Sequence, residues 1–213
     1  MSRQNRTNFT TPRGYAHFPA VVEPDQYDER ATPQFKCDLR MDASSPEAQQ
    51  LMAQADEEVE RGYQKAVEQA KTKAAAKKIQ RLCPYYMEED DEGDETGNVI
   101  FRIRSNAVFE DKKGNQRERR IALFDSTGQP MELDDGMGHN SVVRVGGFFN
   151  TVVGTAQGSG ASMKLQAVKV LKLEQPGGNT AERFGFDQDE SDLDEEDFDG
   201  DMEDENEEEP EDF

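Results

Sequence analysis

Residues 98–124 read NVIFRIRSNAVFEDKKGNQRERRIALF, and this stretch decides the fold class. Within it, residues 101–104 (FRIR) alternate apolar and basic side chains, a period of two that is typical of a strand with one buried and one wet side. Residues 112–115 (KKGN) have turn chemistry and predict a hairpin that returns through residues 117–124. The stretch is therefore predicted to form adjoining strands of an antiparallel sheet.

Further strands are predicted on both sides of this stretch. Residues 15–22 and 35–41 precede it, and the second of these again alternates apolar with polar positions. Residues 142–153 and 162–173 follow it, joined by the Gly/Ser-rich segment 154–160. Five or six short strands of this kind indicate a small closed barrel, and a five-stranded antiparallel OB-fold carries a helix as a plug.

One long helix is predicted between the strands. Ser45 supplies a hydroxyl N-cap, Pro46 occupies the first helical position, and Glu47 adds an acid to the first turn. Apolar residues then recur at steps of three and four, which predicts an amphipathic helix over about 46–80. The predicted fold class is mainly β with one long inserted α-helix.

The distribution of charge predicts the domain organisation. Of the 46 acidic residues, 18 lie in residues 187–213, where there is no Lys or Arg, so residues 1–186 carry 28 acidic and 25 basic residues and a net charge of −3. The net charge of −21 thus describes the tail, and it does not exclude a nucleic-acid-binding body. We predict a flexible basic arm (1–13), an OB-fold domain (14–175) and a disordered acidic C-terminal tail (176–213).

Motifs for catalysis and metal binding are missing from the sequence. There is no phosphate-binding loop and no nucleophile elbow, and Cys37 and Cys83 belong to no CxxC pair. We therefore expect no enzymatic activity, no cofactor and no metal site. The N-terminus has no apolar signal-peptide region, and no apolar run approaches the roughly 18 residues of a membrane span, so we expect a soluble intracellular protein.

The bases of the strand region offer a binding signal. A cationic surface on a small barrel can follow a phosphodiester backbone while aromatic rings stack on bases, although the same pattern also fits a solvated face. Phe148 shares strand parity with Arg144, whereas Phe149 does not, so Phe148 is predicted to stack on bases and Phe149 to lie in the core. The candidate DNA-binding residues are Arg102, Arg104, Lys112, Lys113, Arg117, Arg119, Arg120, Arg144, Phe148, Lys164 and Tyr15.

The acidic tail carries apolar residues, and its final residue is an aromatic one. A tethered polyanion is expected to compete with DNA for the cationic surface and, once displaced, to bind a partner protein. Phe198, Asp212 and Phe213 are the candidate partner-binding residues. An alternative hypothesis is an acidic chaperone that holds basic nucleic-acid-binding proteins through its tail.

The chain resembles the replicative single-stranded DNA-binding proteins of T-odd coliphages and related phages. The likeness covers nearly the whole chain in the same order. It rests on FPAVVEPD (18–25), FKCDL (35–39), the helix from Pro46, FEDKKG (109–114), DSTGQPM (125–131), GASMKLQAVKVLKL (160–173) and the terminal EDF (211–213).

This resemblance implies an OB-fold that binds single-stranded DNA with little sequence preference during phage DNA replication and recombination, in the cytoplasm of the infected bacterial host. It also implies contacts of the tail with the phage DNA polymerase and helicase–primase, and dimerisation in many members. The sequence departs from better-known members at residues 146–153 (GGFFNTVV), where they carry tyrosine and tryptophan. Base stacking is therefore expected to shift to Phe148 or Phe149.

Overall fold

A computed structural model describes residues 6–111 and 113–177 of the chain. Two helices and twelve strands lie within these residues. In chain order they are β1 (Asn8–Thr10), β2 (Gly14–Asp25), β3 (Gln34–Asp42), α1 (Pro46–Gln69), α2 (Lys73–Ala76), β4 (Arg81–Leu82), β5 (Tyr85–Glu89), β6 (Glu95–Phe101), β7 (Arg104–Asn106), β8 (Val108–Glu110), β9 (Gln116–Glu118), β10 (Ala122–Phe124), β11 (Val142–Thr155) and β12 (Gly158–Lys172).

Six strands close into a barrel, in which β6 and β7 together occupy one position. β2 pairs with β3, β3 pairs with both β6 and β7, and β11 pairs with both β12 and β2, all of them antiparallel. The ring closes where Ile103, between β6 and β7, bridges Met163 of β12 in parallel. Beside this bridge, Ser105 Oγ donates a hydrogen bond of 2.9 Å to Leu165 O. These pairings match a small OB-type barrel with an inserted helix, and the predicted fold class is confirmed.

The barrel carries additional strands at its edges. β1 pairs with β11, β4 and β10 pair with β12, and β5 extends the sheet beyond β6. The predicted hairpin forms as a separate two-stranded sheet of β8 and β9. β1 corrects the predicted flexible arm (1–13) at residues 8–10, since Phe9 is buried there and its ring lies 5.1 Å from the ring of Phe149.

The inserted helix is shorter than the sequence predicts. Its start is as expected, because Ser45 Oγ accepts a hydrogen bond from Ala48 N at 3.3 Å and Pro46 follows the cap. However, α1 ends at Gln69, and a separate short helix begins after Thr72, so the prediction of one helix over 46–80 is wrong at its C-terminal end. The buried stripe of α1 ends at Ala66. None of residues 67–80 is buried, so packing against the barrel does not stabilise a longer helix.

α1 packs closely on β12 because neither surface carries a side chain at the contact. A Cβ atom added at Gly62 of α1 would lie 1.9 Å from the carbonyl oxygen of Gly160 in β12. The two glycines therefore allow helix and strand backbones to touch. Among the described residues, no helix combines the length and the apolar character that a membrane span requires.

The predicted boundary between barrel and tail falls close to the end of the described residues. The compact unit that contains the barrel ends at Gly177, and β12, its last strand, ends at Lys172. The predicted disordered tail (176–213) lies, apart from its first two residues, outside the described residues. The same holds for Phe198, Asp212 and Phe213.

Candidate nucleic-acid interface

The outward side chains of the central strands form one candidate surface. On β3, buried inward residues alternate with outward ones, and the inward residues of the neighbouring strands follow the same rule. We call this surface the outer strand face. Its members are Tyr15 and His17 of β2, Lys36, Asp38 and Arg40 of β3, and Arg102 and Arg104 at the junction of β6 and β7.

A buried ion pair lies in the middle of the outer strand face. Asp38 is only 3% exposed, and both its carboxylate oxygens accept hydrogen bonds from the Arg104 guanidinium. One of these oxygens also accepts from Ile103 N at 3.0 Å. The hydrogen bonds with Asp38 raise the pKa of Arg104 above its ordinary value. This guanidinium is thus held in place, and its outward side is half-exposed.

Two further arginines of this face lie against exposed aromatic rings. The Arg40 guanidinium is 5.9 Å from the Tyr15 ring and donates to Asn140 Oδ1 at 2.8 Å. The Arg102 guanidinium is 5.6 Å from the Tyr86 ring and donates to Cys83 O at 2.9 Å. Cations fixed beside exposed rings combine phosphate attraction with a stacking surface, the two components of single-strand binding.

A second set of cations lies around β11 and β12. The Arg6 guanidinium is 4.5 Å from the Phe148 ring, and the Arg119 guanidinium is 4.9 Å from the Phe109 ring. Lys164 of β12 pairs in register with Phe148 of β11. These five residues are called the Arg119 cluster.

The cations of the Arg119 cluster repel one another. Burial lowers the pKa of Lys164, and the positive charge of the neighbouring Arg119 lowers it further. Burial, followed by Arg6, likewise lowers the pKa of Arg119. No carboxylate of residues 6–111 or 113–177 lies within 4.0 Å of any of the three cations. A bound phosphate would relieve this repulsion, so the cluster is suited to an anion.

The outer strand face and the Arg119 cluster adjoin each other across the closing seam of the barrel. Arg104 lies between the inward residues Ile103 and Ser105, and Lys164 lies between the inward residues Met163 and Leu165. Because the Ile103–Met163 bridge is parallel, Arg104 and Lys164 occupy neighbouring outward positions. The basic residues thus follow a continuous path from β3 over β7 to β12, where Lys164 pairs in register with Phe148 of β11.

Comparison with known proteins agrees with this geometry. A family model described as single-stranded DNA-binding protein of bacteriophage T7 matches residues 9–174. The chain belongs to this family. A search of curated protein sequences returned no similar sequence.

Solved structures of phage single-stranded DNA-binding proteins share the fold. The gp2.5 protein encoded by bacteriophage T7 superposes with a TM-score of 0.66 at 22% identity, covering 90% of this chain and 97% of its own. The single-stranded DNA-binding protein of bacteriophage Enc34, in complex with single-stranded DNA, superposes with a TM-score of 0.56 at 13% identity. That match covers 84% of this chain and 96% of the Enc34 chain.

Six predicted site residues of this family member lie on the continuous path. They are Tyr15, Arg102, Arg104, Arg119, Phe148 and Lys164. The parity assignment of the two adjacent phenylalanines agrees with the structure, since Phe149 belongs to the hydrophobic core and Phe148 does not. Phe148 is nevertheless only 8% exposed, with the Arg6 guanidinium 4.5 Å from its ring, and its base-stacking role remains a prediction.

Four other predicted residues are not among the members of the outer strand face or of the Arg119 cluster. Lys113 and Arg117 belong to the β8–β9 hairpin, where Arg117 pairs with Asp111. Arg120 borders an apolar groove, and Arg144 Nε donates to Thr11 O at 3.1 Å. Their predicted DNA contacts remain untested. Lys112 lies outside the described residues.

The structure also adds residues that the sequence reasoning missed. Strand parity on β3 could have identified Arg40, which alternates with the inward residues of FKCDLRM. Arg6 was assigned to the flexible arm, and Tyr86 lies in the unpredicted strand β5. The sequence singles out Phe109 only as the first residue of the FEDKKG motif. The placement of Arg6 depends on a contact distant in sequence, with Phe148 of β11, whereas Phe109 is placed by pairing within its own hairpin.

Proposed function

We propose that this chain binds single-stranded DNA with little sequence preference along the outer strand face and the Arg119 cluster. One observation carries the proposal: three cations without carboxylate partners among the described residues lie beside two aromatic rings. Such a surface binds phosphates through charge and bases through stacking, and neither contact reads sequence. Its structural relatives of bacteriophages T7 and Enc34 are single-stranded DNA-binding proteins, and that of Enc34 was solved in complex with single-stranded DNA.

The direct test measures the binding of fluorescently labelled oligonucleotides by anisotropy at several salt concentrations. Arg119→Ala is expected to weaken binding to oligo(dT) and to mixed-sequence oligonucleotides alike, and to reduce the salt slope by about 0.7 for one lost phosphate contact. Lys73→Ala, in the exposed helix α2, is the matched control and should change neither. Equal effects of the two substitutions, or loss of binding to a single sequence, would contradict the proposed path.

We further propose that binding serves phage DNA replication and recombination in the infected cell, without catalysis by this chain. In this proposal the acidic tail competes with DNA and recruits the DNA polymerase and helicase–primase through Phe198, Asp212 and Phe213. The supporting argument is electrostatic: 18 acidic residues tethered to a cationic surface act at high effective concentration. Dimerisation is proposed from the family resemblance alone.

Removal of residues 187–213 tests the role of the tail. The truncated chain is expected to bind oligo(dT) more tightly than the full chain, most clearly at low salt. An unchanged affinity would refute competition by the tail. Affinity of the tail for basic proteins, with no DNA binding by either form, would instead support an acidic chaperone.

A further inference from the structure

The backbone is strained at one end of the outer strand face. Phe18 has a φ of 44° and Asn140 a φ of 67°, and in the part of the chain described they are the non-glycine residues with positive φ. Asparagine tolerates this conformation, but for a bulky residue such as phenylalanine it is an outlier that persists only when the surroundings enforce it. Strain of this kind concentrates at functional sites.

A β-bulge produces the strained conformation and turns Phe18 outward. His17 pairs with Asp38 and Ala20 pairs with Lys36, so two residues of β2 stand opposite one residue of β3. The extra residue interrupts the alternation along β2. Phe18 consequently lies 61% exposed on the same side as its neighbour His17. Bulges re-aim side chains in this way beside functional sites.

The exposed Phe18 ring belongs to a small aromatic platform. It stacks on His139 with a centroid distance of 4.5 Å and an interplanar angle of 17°, and His17 meets it edge-on at 4.7 Å. Phe18 N donates to His139 Nδ1 at 3.3 Å. Burial lowers the pKa of both imidazoles, so they are neutral at pH 7 and present uncharged rings.

An oriented cation lies next to this platform. Asn140, the second strained residue, follows His139 directly and accepts a hydrogen bond from the Arg40 guanidinium at 2.8 Å. Glu88 of β5 lies 3.7 Å from the same guanidinium. Of the two strained residues, Phe18 thus presents an exposed ring, and Asn140 fixes the position of the Arg40 guanidinium.

A purely structural role does not account for the platform. The loop that contains His139 is already tied to β2 by backbone hydrogen bonds, since Ala16 N donates to Ser141 O and Asn140 N donates to Ala16 O. A glycine at position 18 would adopt the observed φ without strain. His17 Nδ1 is also buried without a hydrogen-bond partner among the described residues. Stability alone favours neither the strain nor the exposed ring.

We propose that Phe18 and His139 form a binding site for one unpaired nucleobase, and that Arg40 binds a phosphate of the adjoining backbone. This proposal rests on the proposed function and assigns a stacking ring to it. A base stacks on the part of the Phe18 ring that His139 and His17 leave uncovered. The site is tolerant of sequence, because every base presents a π-face.

Three full-length variants test the site, namely Phe18→Gly, Phe18→Ala and Phe18→Tyr. Their affinities are measured by anisotropy for oligo(dT) and for an abasic oligomer of the same length and charge. Wild type and Phe18→Tyr should prefer oligo(dT), because both keep a ring. Phe18→Gly and Phe18→Ala should lose about tenfold of that preference, while their affinity for the abasic oligomer stays close to that of wild type.

Thermal unfolding of the same variants separates binding from folding. Phe18→Gly should be at least as stable as Phe18→Ala, because glycine relieves the strained φ. If Phe18→Gly keeps the full preference for oligo(dT), the nucleobase site is overturned. If wild type binds neither oligomer, the proposed function itself fails. A large loss of stability in Phe18→Gly, with unchanged preference, would show that the platform only pins the loop.

Discussion

Two phenylalanines on the outer side of the barrel differ in what surrounds them. Phe148 of β11 is only 8% exposed, with the Arg6 guanidinium 4.5 Å from its ring, whereas Phe18 of β2 is 61% exposed on a strained backbone. Strand parity correctly places Phe148 on the outer side. Parity alone, however, does not tell whether a residue near the N-terminus covers the ring.

The difference teaches that facing outward and being available to a ligand are separate properties. Phe148 pairs in register with Asn8 of β1 on one side and with Lys164 of β12 on the other. Its side chain is buried between these strands, and this burial contributes to stability. Phe18 buries little surface and adopts an unfavourable φ, so its ring contributes little to stability. We therefore expect substitutions at the two rings to affect different measurements.

The largest expected effect is on the stability of Phe148→Ala. Removing a nearly buried phenylalanine ring should lower the free energy of unfolding by about 3 kcal/mol. Phe18→Ala removes an exposed ring and should change it by less than about 1 kcal/mol. Urea denaturation of the two variants, with m-values checked for equality, measures the contrast. Similar losses at the two positions would refute the assignment of stability to one ring and recognition to the other.

The sequence predicted the parts of this surface that follow regular alternation. In residues 101–104 and around Lys164 of β12, outward side chains alternate with core residues, so the face of each side chain could be assigned without coordinates. The alternation fails at Phe18, because the bulge between His17 and Ala20 places two successive residues of β2 on the same side of the sheet. Pro19 is a local signal for that bulge, because proline inside a strand is confined to edges and bulges. The outward turn of Phe18, however, depends on the pairing with β3 and on the loop that carries His139.

The buried ion pair of Asp38 and Arg104 could not be predicted from the sequence either. Alternation predicts that Arg104 points outward, and the structure agrees, while its contact with DNA stays a prediction. Its double hydrogen bond to the buried carboxylate of Asp38 depends on a strand about 65 residues away in sequence. The candidate interface therefore combines locally encoded directions with contacts that only the closed barrel creates.

A smaller effect is expected from pH at the Phe18 end. The folded state lowers the pKa of His17 and His139, so between about pH 6.5 and the folded pKa the unfolded chain binds more protons. Stability is thus fully present above about pH 6.5 and falls as the pH drops below it. Because both imidazoles are partly solvated, we expect a loss below about 1 kcal/mol.

Thermal unfolding from pH 7.5 to 5.5 checks this expectation, with His139→Phe as the matched variant. That substitution keeps a ring against Phe18 and removes one titrating group, so the decrease in Tm over this pH range should be smaller than in wild type. Around His17, Glu88 and Asp38 favour the protonated imidazole while Arg40 and Lys36 oppose it. An identical pH dependence in both proteins would contradict the assignment to His139.

The smallest expected effect comes from uncovering Phe148. Arg6→Ala removes a cation–π contact at the surface, and we expect a stability loss of about 0.5 kcal/mol. The loss of one phosphate contact should weaken oligonucleotide binding, but the freed ring should recover part of the affinity by stacking.

A double-mutant cycle with Phe148→Leu separates the loss of the phosphate contact from the gain in stacking. Phe148→Leu should reduce oligo(dT) affinity more in the Arg6→Ala background than in wild type, because only the uncovered ring is accessible to a base. An equal reduction in both backgrounds would mean that DNA displaces Arg6 by itself, and the contrast between the two phenylalanines would then hold only for the free protein.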